Sequence, residues 1–155
     1  MENHRCKRER GMITIKMMGR EIEDYADFLN YRRHEVNQFP MHFAFNAEQR
    51  QDAIRELGPE NDIVHVGVGC MIRKNDRDLF DSLMAKHEKL LVDLMADYDF
   101  ALEAFTYELL NHEYGCTWDT SDALASLGLT SDDIKKNETL RRALKAAINE
   151  NDWEC

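Results

Sequence analysis

Between Leu79 and Leu109 the apolar residues fall three and four positions apart, and this spacing narrows the possible folds more than any other feature of the chain. Leu79, Phe80, Leu83, Met84, His87, Leu90, Leu91, Leu94, Met95 and Tyr98 form one such series. Residues at that spacing share one face of an α-helix. The pattern predicts a long helix from Arg77 to about Asp97, capped by Asp76. A second segment, Phe100 to Tyr114, carries Leu102, Phe105 and Leu109, with Asp99 as its expected cap and Gly115 at its C′ position. The chain has only seven glycines and two prolines in 155 residues, which argues against a β-rich or loop-rich fold. A domain of that size can bury roughly 70% of its unfolded surface without staples.

The remaining elements follow from the same signals. Ile22, Tyr25, Phe28 or Leu29, Arg32 and Val36 predict a helix over Glu21 to Gln38, ended by Pro40. Met41 to Phe45 alternates and is aromatic, as a short strand would be. Asn46 with Gln49 sets up a capped helix running to Leu57, closed by Gly58 and Pro59. Asp62 to Arg73 is β-branched and punctuated by glycine, which predicts a strand or a tight strand pair. Beyond Tyr114, Thr120 or Ser121 opens a short helix closed by Gly128. Thr130 and Asp133 form a box-like start for another, and a last helix spans about Glu138 to Asn149. The expected fold class is α+β, mostly α-helical, with helices packed around a small antiparallel sheet of two to three short strands. The expected organisation is a basic, disordered leader over residues 1–12 and a single domain over 13–155. Met12 or Met17 could serve as an alternative start, which would place Arg5, Lys7, Arg8 and Arg10 outside the protein proper.

The charge is distributed unevenly. The net formal charge is −10, from 20 Lys and Arg against 30 Asp and Glu. Leu90 to Asp133 contains no Lys or Arg, yet holds Asp93, Asp97, Asp99, Glu103, Glu108, Glu113, Asp119, Asp122, Asp132 and Asp133. This segment alone therefore accounts for the whole net charge. Such a field repels nucleic acid and attracts basic surfaces, or serves as a plain solvated face. Asp93 and Asp97 stand one helical turn apart, about 6 Å, similar to the step between phosphates along a strand.

Sites with chemistry are hard to find. Gly67 and Gly69 lack the third glycine and the Lys-Ser/Thr pair of a phosphate loop, so a bulge or close backbone approach explains them better. His34-Glu35, His87-Glu88 and His112-Glu113 do not extend to a two-histidine zinc motif. His87, on the apolar stripe, reads as a core histidine. No Ca²⁺-loop spacing occurs. Cys6, Cys70, Cys116 and Cys155 form no CxxC, and the expectation is four thiols in a reducing compartment. The hairpin around Gly128 would present Asp132 and Asp133 to DNA, which is electrostatically wrong for a recognition helix. No segment has the length of a signal peptide or a membrane span.

Two groups of residues, taken in order, are familiar as a set. The first is Asn37-Gln-Phe-Pro-Met-His-Phe-Ala-Phe-Asn46 followed by Gly67-Val-Gly-Cys-Met-Ile-Arg-Lys74. The second is Tyr107-Glu-Leu-Leu-Asn-His-Glu-Tyr114, then Thr117-Trp-Asp119, then Ala123-Leu-Ala-Ser-Leu-Gly-Leu-Thr130. Over roughly residues 22–148 the chain resembles a family of small uncharacterised proteins of phages and mobile elements of gut bacteria. That resemblance implies expression in the cytoplasm of a bacterial host and, by analogy, a role in phage–host conflict.

These observations lead to three expectations. The first is a non-enzymatic binding module, an inhibitor of anti-CRISPR type. Its acidic face would dock on a basic host protein such as a CRISPR nuclease, with Asn111, His112, Tyr114 and Trp118 as contacts beside the ten acids. No cofactor, metal, membrane or direct nucleic-acid contact is expected in that reading. The second is a small metal-dependent enzyme using His87, His112 and nearby acids. The third is a structural or regulatory homo-oligomer that uses the stripe of Arg77 to Tyr98.

Overall fold

The structure is a computed structural model that describes residues 21–154; the basic leader, Cys6 and Cys155 lie outside them. Among the described residues it is α+β and mostly helical, with eight α-helices and one three-stranded antiparallel sheet. In chain order these are α1 (Tyr25–Gln38), β1 (Met41–Phe43), α2 (Ala47–Leu57), β2 (Ile63–His65), β3 (Cys70–Arg73), α3 (Arg77–Leu94), α4 (Tyr98–Asn111), α5 (Tyr114–Thr117), α6 (Ser121–Ser126), α7 (Ser131–Lys136) and α8 (Glu138–Asn149).

The caps explain most of the boundaries. Helix α1 starts four residues later than the periodicity suggests, because the Asp24 side chain accepts the Asp27 N–H at 2.8 Å. Asn46 accepts the Gln49 N–H at 2.9 Å, while the Gln49 side chain reaches past it to the Phe45 N–H. Asp76 does not cap α3: a 3-10 turn over Lys74–Asp76 leads straight in, and the Asp76 backbone is already helical. The break after α3 falls at Met95, so α4 is capped by Asp97 and not by Asp99. Thr130 and Asp133 form a full reciprocal capping box. Asn137 caps α8 by accepting the Leu140 N–H.

Sheet order is β1-β3-β2, with Met41 opposite Ile72 and Val64 opposite Ile72 on the other side. Pairing of that register puts Met71 and Ile63 on the face that meets Ala53 and Leu57 of α2. Arg73 on the same face ties the α2 C-terminus by donating to the Leu57 and Glu56 carbonyls. Gly69 sits in the tight β2–β3 turn with φ +71°, under the ring of Phe45. The Gly67-x-Gly69 stretch is thus a hairpin connection with a close approach.

The main core is helical. Tyr25, Phe28 and Tyr31 of α1, Leu90, Leu91 and Leu94 of α3, and Phe100, Phe105 and Leu109 of α4 are buried together with residues of α6 and α8. Helices α4 and α8 share the most extensive contact between helices. Their alanines Ala101, Ala104, Ala143 and Ala147 are all fully buried, as small side chains must be where two helix backbones approach closely.

Gly115 does not terminate α4. Glu113 takes the left-handed conformation there, at φ 53°. Gly115 instead makes room for the C-terminal segment: a Cβ at this position would stand 2.8 Å from the Glu154 carbonyl oxygen. Trp153 completes the strap, donating its indole N–H to the Ile148 carbonyl at 2.7 Å and packing edge-on against Tyr114. Gly115→Ala should therefore destabilise the fold by about 1–3 kcal/mol, the usual cost of overpacking. With Trp118 and Trp153 the only tryptophans, loss of near-ultraviolet signal ahead of global melting would place the damage at this strap.

Candidate functional site: two polar clusters and an acidic outer face

Glu108 projects from α4 into the apolar core and is buried. A carboxylate there must be hydrogen-bonded. Tyr25 of α1 donates its hydroxyl to Glu108 Oε1 at 2.5 Å. One turn along, His112 Nε2 stands 3.4 Å from Oε2. The same nitrogen is 2.7 Å from Ser126 Oγ of α6. Burial and then the Glu108 carboxylate push the Tyr25 hydroxyl well above the usual tyrosine range.

Serine, histidine and glutamate in a row invite a hydrolase reading, and the geometry argues against it. A catalytic relay needs serine on one imidazole nitrogen and the acid on the other. Here Ser126 and Glu108 meet the same nitrogen, Nε2, and the Ser126 hydroxyl also donates to the Asp122 carbonyl at 3.1 Å. The cluster is arranged to satisfy a buried charge and to tie α1, α4 and α6 together.

The second cluster joins α1 to α3. Glu35 accepts from Lys86 Nζ at 2.7 and 3.0 Å and meets His87 Nε2 at 2.8 Å. Burial acts to raise the Glu35 carboxyl, but hydrogen bonds from Lys86, Tyr31 and His87 outweigh it and hold it at about 2. The Lys86 ammonium lies 5.4 Å over the Tyr31 ring. His87 is buried, as a core histidine would be, and its Nδ1 has no partner among the described residues. A shallow groove of about 330 Å³ runs beside it, lined by Tyr31, Lys86, Lys89, Leu90 and Asp93.

His87 and His112 therefore belong to separate clusters. No group of three or more His, Cys, Asp or Glu side chains among the described residues is placed to hold a metal ion. The joint His87–His112 centre envisaged from sequence is not assembled. Cys116 is disulfide-bonded and Cys70 is free and buried. This corrects the expectation of four free thiols. Among the described residues no helix is long and apolar enough to cross a membrane.

The ten acids of the base-free segment have distinct local roles. Glu108 is buried and does not belong to any outer rim. Asp97 and Asp133 cap helices, and Asp119 accepts from the Ser121 N–H and hydroxyl. Those bonds hold Asp119 and Asp133 below the usual aspartate range. Asp93 pairs with Lys89 at 3.0 Å, and Asp132 with Lys135 at 3.2 Å. Asp99, Glu103, Glu113 and Asp122 are exposed.

Of the expected contact residues, Tyr114 is buried under Trp118 and Trp153, His112 is engaged as described, and Asn111 and Trp118 are exposed. Trp118 is 66% exposed. It also holds a left-handed backbone, φ 55°. The sequence reading missed Tyr107 and Leu110, which are 46% and 63% exposed on the outer face of α4. Tyr107 lies between Phe105 and Leu109 of the predicted stripe and Leu110 follows it, which places both off that stripe.

Residues 24–150 match a family of unknown function (DUF7659). The chain belongs to that family. No curated protein matches it. No solved structure matches it either.

Two outcomes test the clusters. Tyr25→Phe strips Glu108 of its hydroxyl donor and should cost about 1–3 kcal/mol in denaturant unfolding, the usual cost of orphaning a buried acceptor. Glu35 contributes stability that is present above its ordinary value of 4.5 and is lost as pH falls toward about 2. Glu35→Gln should remove that part of the acid-side decline in a pH series of melting temperatures.

Proposed function

We propose that this protein is a non-enzymatic binding module that docks its base-free segment onto a basic surface of another protein. One observation carries the reading: Trp118, exposed in the middle of that segment, sits in a left-handed backbone. That conformation costs a non-glycine residue roughly 1–2 kcal/mol. Strain of this kind, held at an exposed aromatic side chain, is typical of contact sites. Glu113, Asp119 and Asp122 surround Trp118 in sequence and are exposed. An exposed aromatic anchor within a charged rim suits a partner rich in Lys and Arg.

The partner class we favour is a nucleic-acid-binding protein of a bacterial host, such as a CRISPR-type nuclease, with the protein acting as its inhibitor. Carboxylates would take the place of phosphates along the partner's basic channel. The resemblance to proteins of phages and mobile elements supports that choice.

Trp118→Gly separates a binding role from a structural one. Glycine relieves the left-handed strain, so the variant should melt within a few degrees of the parent. The test is capture of a partner from bacterial lysate with a salt gradient, then direct titration of that purified partner. Trp118→Gly should weaken binding at least about tenfold, as a hot-spot truncation does. Glu113→Lys with Asp122→Lys should weaken it further and flatten its salt dependence. Unchanged binding by Trp118→Gly would overturn the reading. If nothing is retained at low salt, docking fails as well. Light scattering would then decide whether Leu79 and Val92, both exposed on α3, serve self-association.

A further inference from the structure

Resting on the docking reading, we propose that a disulfide between Cys116 and Cys155 latches the C-terminal strap onto α5, and that a dithiol reductant opens this latch and weakens docking through Trp118. Cys116 is disulfide-bonded while Cys70 is free. The sequence holds two other cysteines, Cys6 and Cys155, and both lie outside the described residues. The neighbourhood of Gly115 selects Cys155. A Cβ on Gly115 would stand 2.8 Å from the Glu154 carbonyl oxygen, so the strap touches the α5 backbone there. Cys116 follows Gly115 and Cys155 follows Glu154, each one Cα step of about 3.8 Å along the chain. A disulfide forms where two Cα atoms come within about 7 Å.

The latch matters because α5 has little of its own to hold it. It has 4 residues, too few for a helix to persist unaided. The residues that bound it, Glu113 and Trp118, are both left-handed. The Trp118 N–H donates to the Tyr114 carbonyl at 2.8 Å, and the Tyr114 ring meets Trp118 and Trp153 edge-on at 5.6 and 5.2 Å. On its other side the strap is tied to α8, where Asn151 Nδ2 donates to the Ala147 carbonyl and Trp153 Nε1 to the Ile148 carbonyl. Those bonds outlast reduction, whereas the α5 side would keep ring contacts only. Cys116 is exposed, and exposed disulfides are the ones open to exchange. One thiolate of a dithiol attacks Cys116 Sγ, the Sγ–Sγ bond breaks, and Cys155 leaves as a thiolate that takes up a proton. The second thiol of the reductant then closes its own disulfide and releases Cys116. Two electrons pass from the dithiol to the protein, which ends with two thiols.

The experiment starts with a tryptic map of the full chain without reductant. Cleavage after Lys and Arg places Cys116 in residues 90–135, Cys155 in 146–155 and Cys6 in 6–7. A mass for 90–135 joined to 146–155 is expected. A link to 6–7, or a free Cys116 thiol, overturns the proposal. Amide hydrogen exchange is then compared with and without dithiothreitol. Reduction should speed exchange over residues 114–118 and 151–154 at least about tenfold and leave α1 and α4 unchanged. Cys116→Ser with Cys155→Ser should exchange fast from the start and respond no further to the reductant. Equal exchange in both states, or a response that persists in the double variant, overturns the latch. The last arm titrates the partner captured through Trp118 with oxidised and reduced protein, and reduction should weaken binding at least about tenfold. Equal binding by the two states, with Trp118→Gly still defective, leaves docking standing and overturns the latch as its control. If neither state retains a partner, docking fails and so does its control by the latch, while the map and the exchange rates report the disulfide independently.

Discussion

The buried carboxylate of Glu108 is the constraint around which the helical core is arranged. A charge in a hydrocarbon interior is tolerated only where its oxygens are satisfied. Tyr25 of α1 donates to one oxygen of Glu108, and His112 at the end of α4 stands 3.4 Å from the other. His112 in turn reaches Ser126 of α6. One side chain therefore fixes the placement of three helices that are far apart in sequence. Removal of any partner leaves a costly orphan. Apolar packing around this point is forgiving in comparison, because Leu, Phe and Ala side chains have no directional requirement.

Placing an acid in the core also changes how the charge of the chain is to be understood. The stretch from Leu90 to Asp133 looks uniformly acidic in sequence, yet its carboxylates divide by task. Asp97 and Asp133 terminate helices, which places negative charge at helix N-termini where the dipole favours it. Asp93 and Asp132 are neutralised by neighbouring lysines. Asp99, Glu103, Glu113 and Asp122 are exposed, and they lie close in sequence to the exposed side chains Tyr107, Leu110 and Trp118. A mixed surface of carboxylates and large apolar groups differs physically from a purely acidic one. Charge steers an encounter, and apolar anchors slow dissociation.

Much of the fold was legible because local signals and global packing agree. The stripe from Leu79 to Leu109 and the box at Thr130 and Asp133 each predict the element that forms, and the alternation at Met41 to Phe45 predicts a strand that ends two residues earlier, at Phe43. Failures occurred where two residues compete for one job. Asp97 and Asp99 are both plausible caps, and the register of the core decides for Asp97 by burying Phe100 and Ala101 immediately after it. Gly115 looks like a helix terminator, but its lack of a side chain answers to Glu154, a neighbour 39 positions along the chain that no local pattern reveals. His112 and Ser126 are likewise brought together only by the turn of α5 and the packing of α6. The site was less legible than the fold for the same reason: whether an acid faces solvent or the core depends on helix orientation, and Glu108 differs from Glu103 in sequence only by position.

Position on α4 is what converts these local facts into a surface. The helix has buried neighbours on one side, with the alanines of α4 and α8 allowing close approach, so its opposite side cannot also be inside. A helix committed this way has to present something outward, and a stable solvated choice would be charged residues alone. Tyr107 and Leu110 break that rule, and Trp118 adds a backbone conformation that costs energy. Three departures from the solvated pattern fall within twelve residues of a segment that lacks basic side chains. Each is tolerable singly, because isolated exposed apolar residues are common on protein surfaces. Their concentration in the one region of uniform charge sign is what supports the docking proposed above over a plain solvated face.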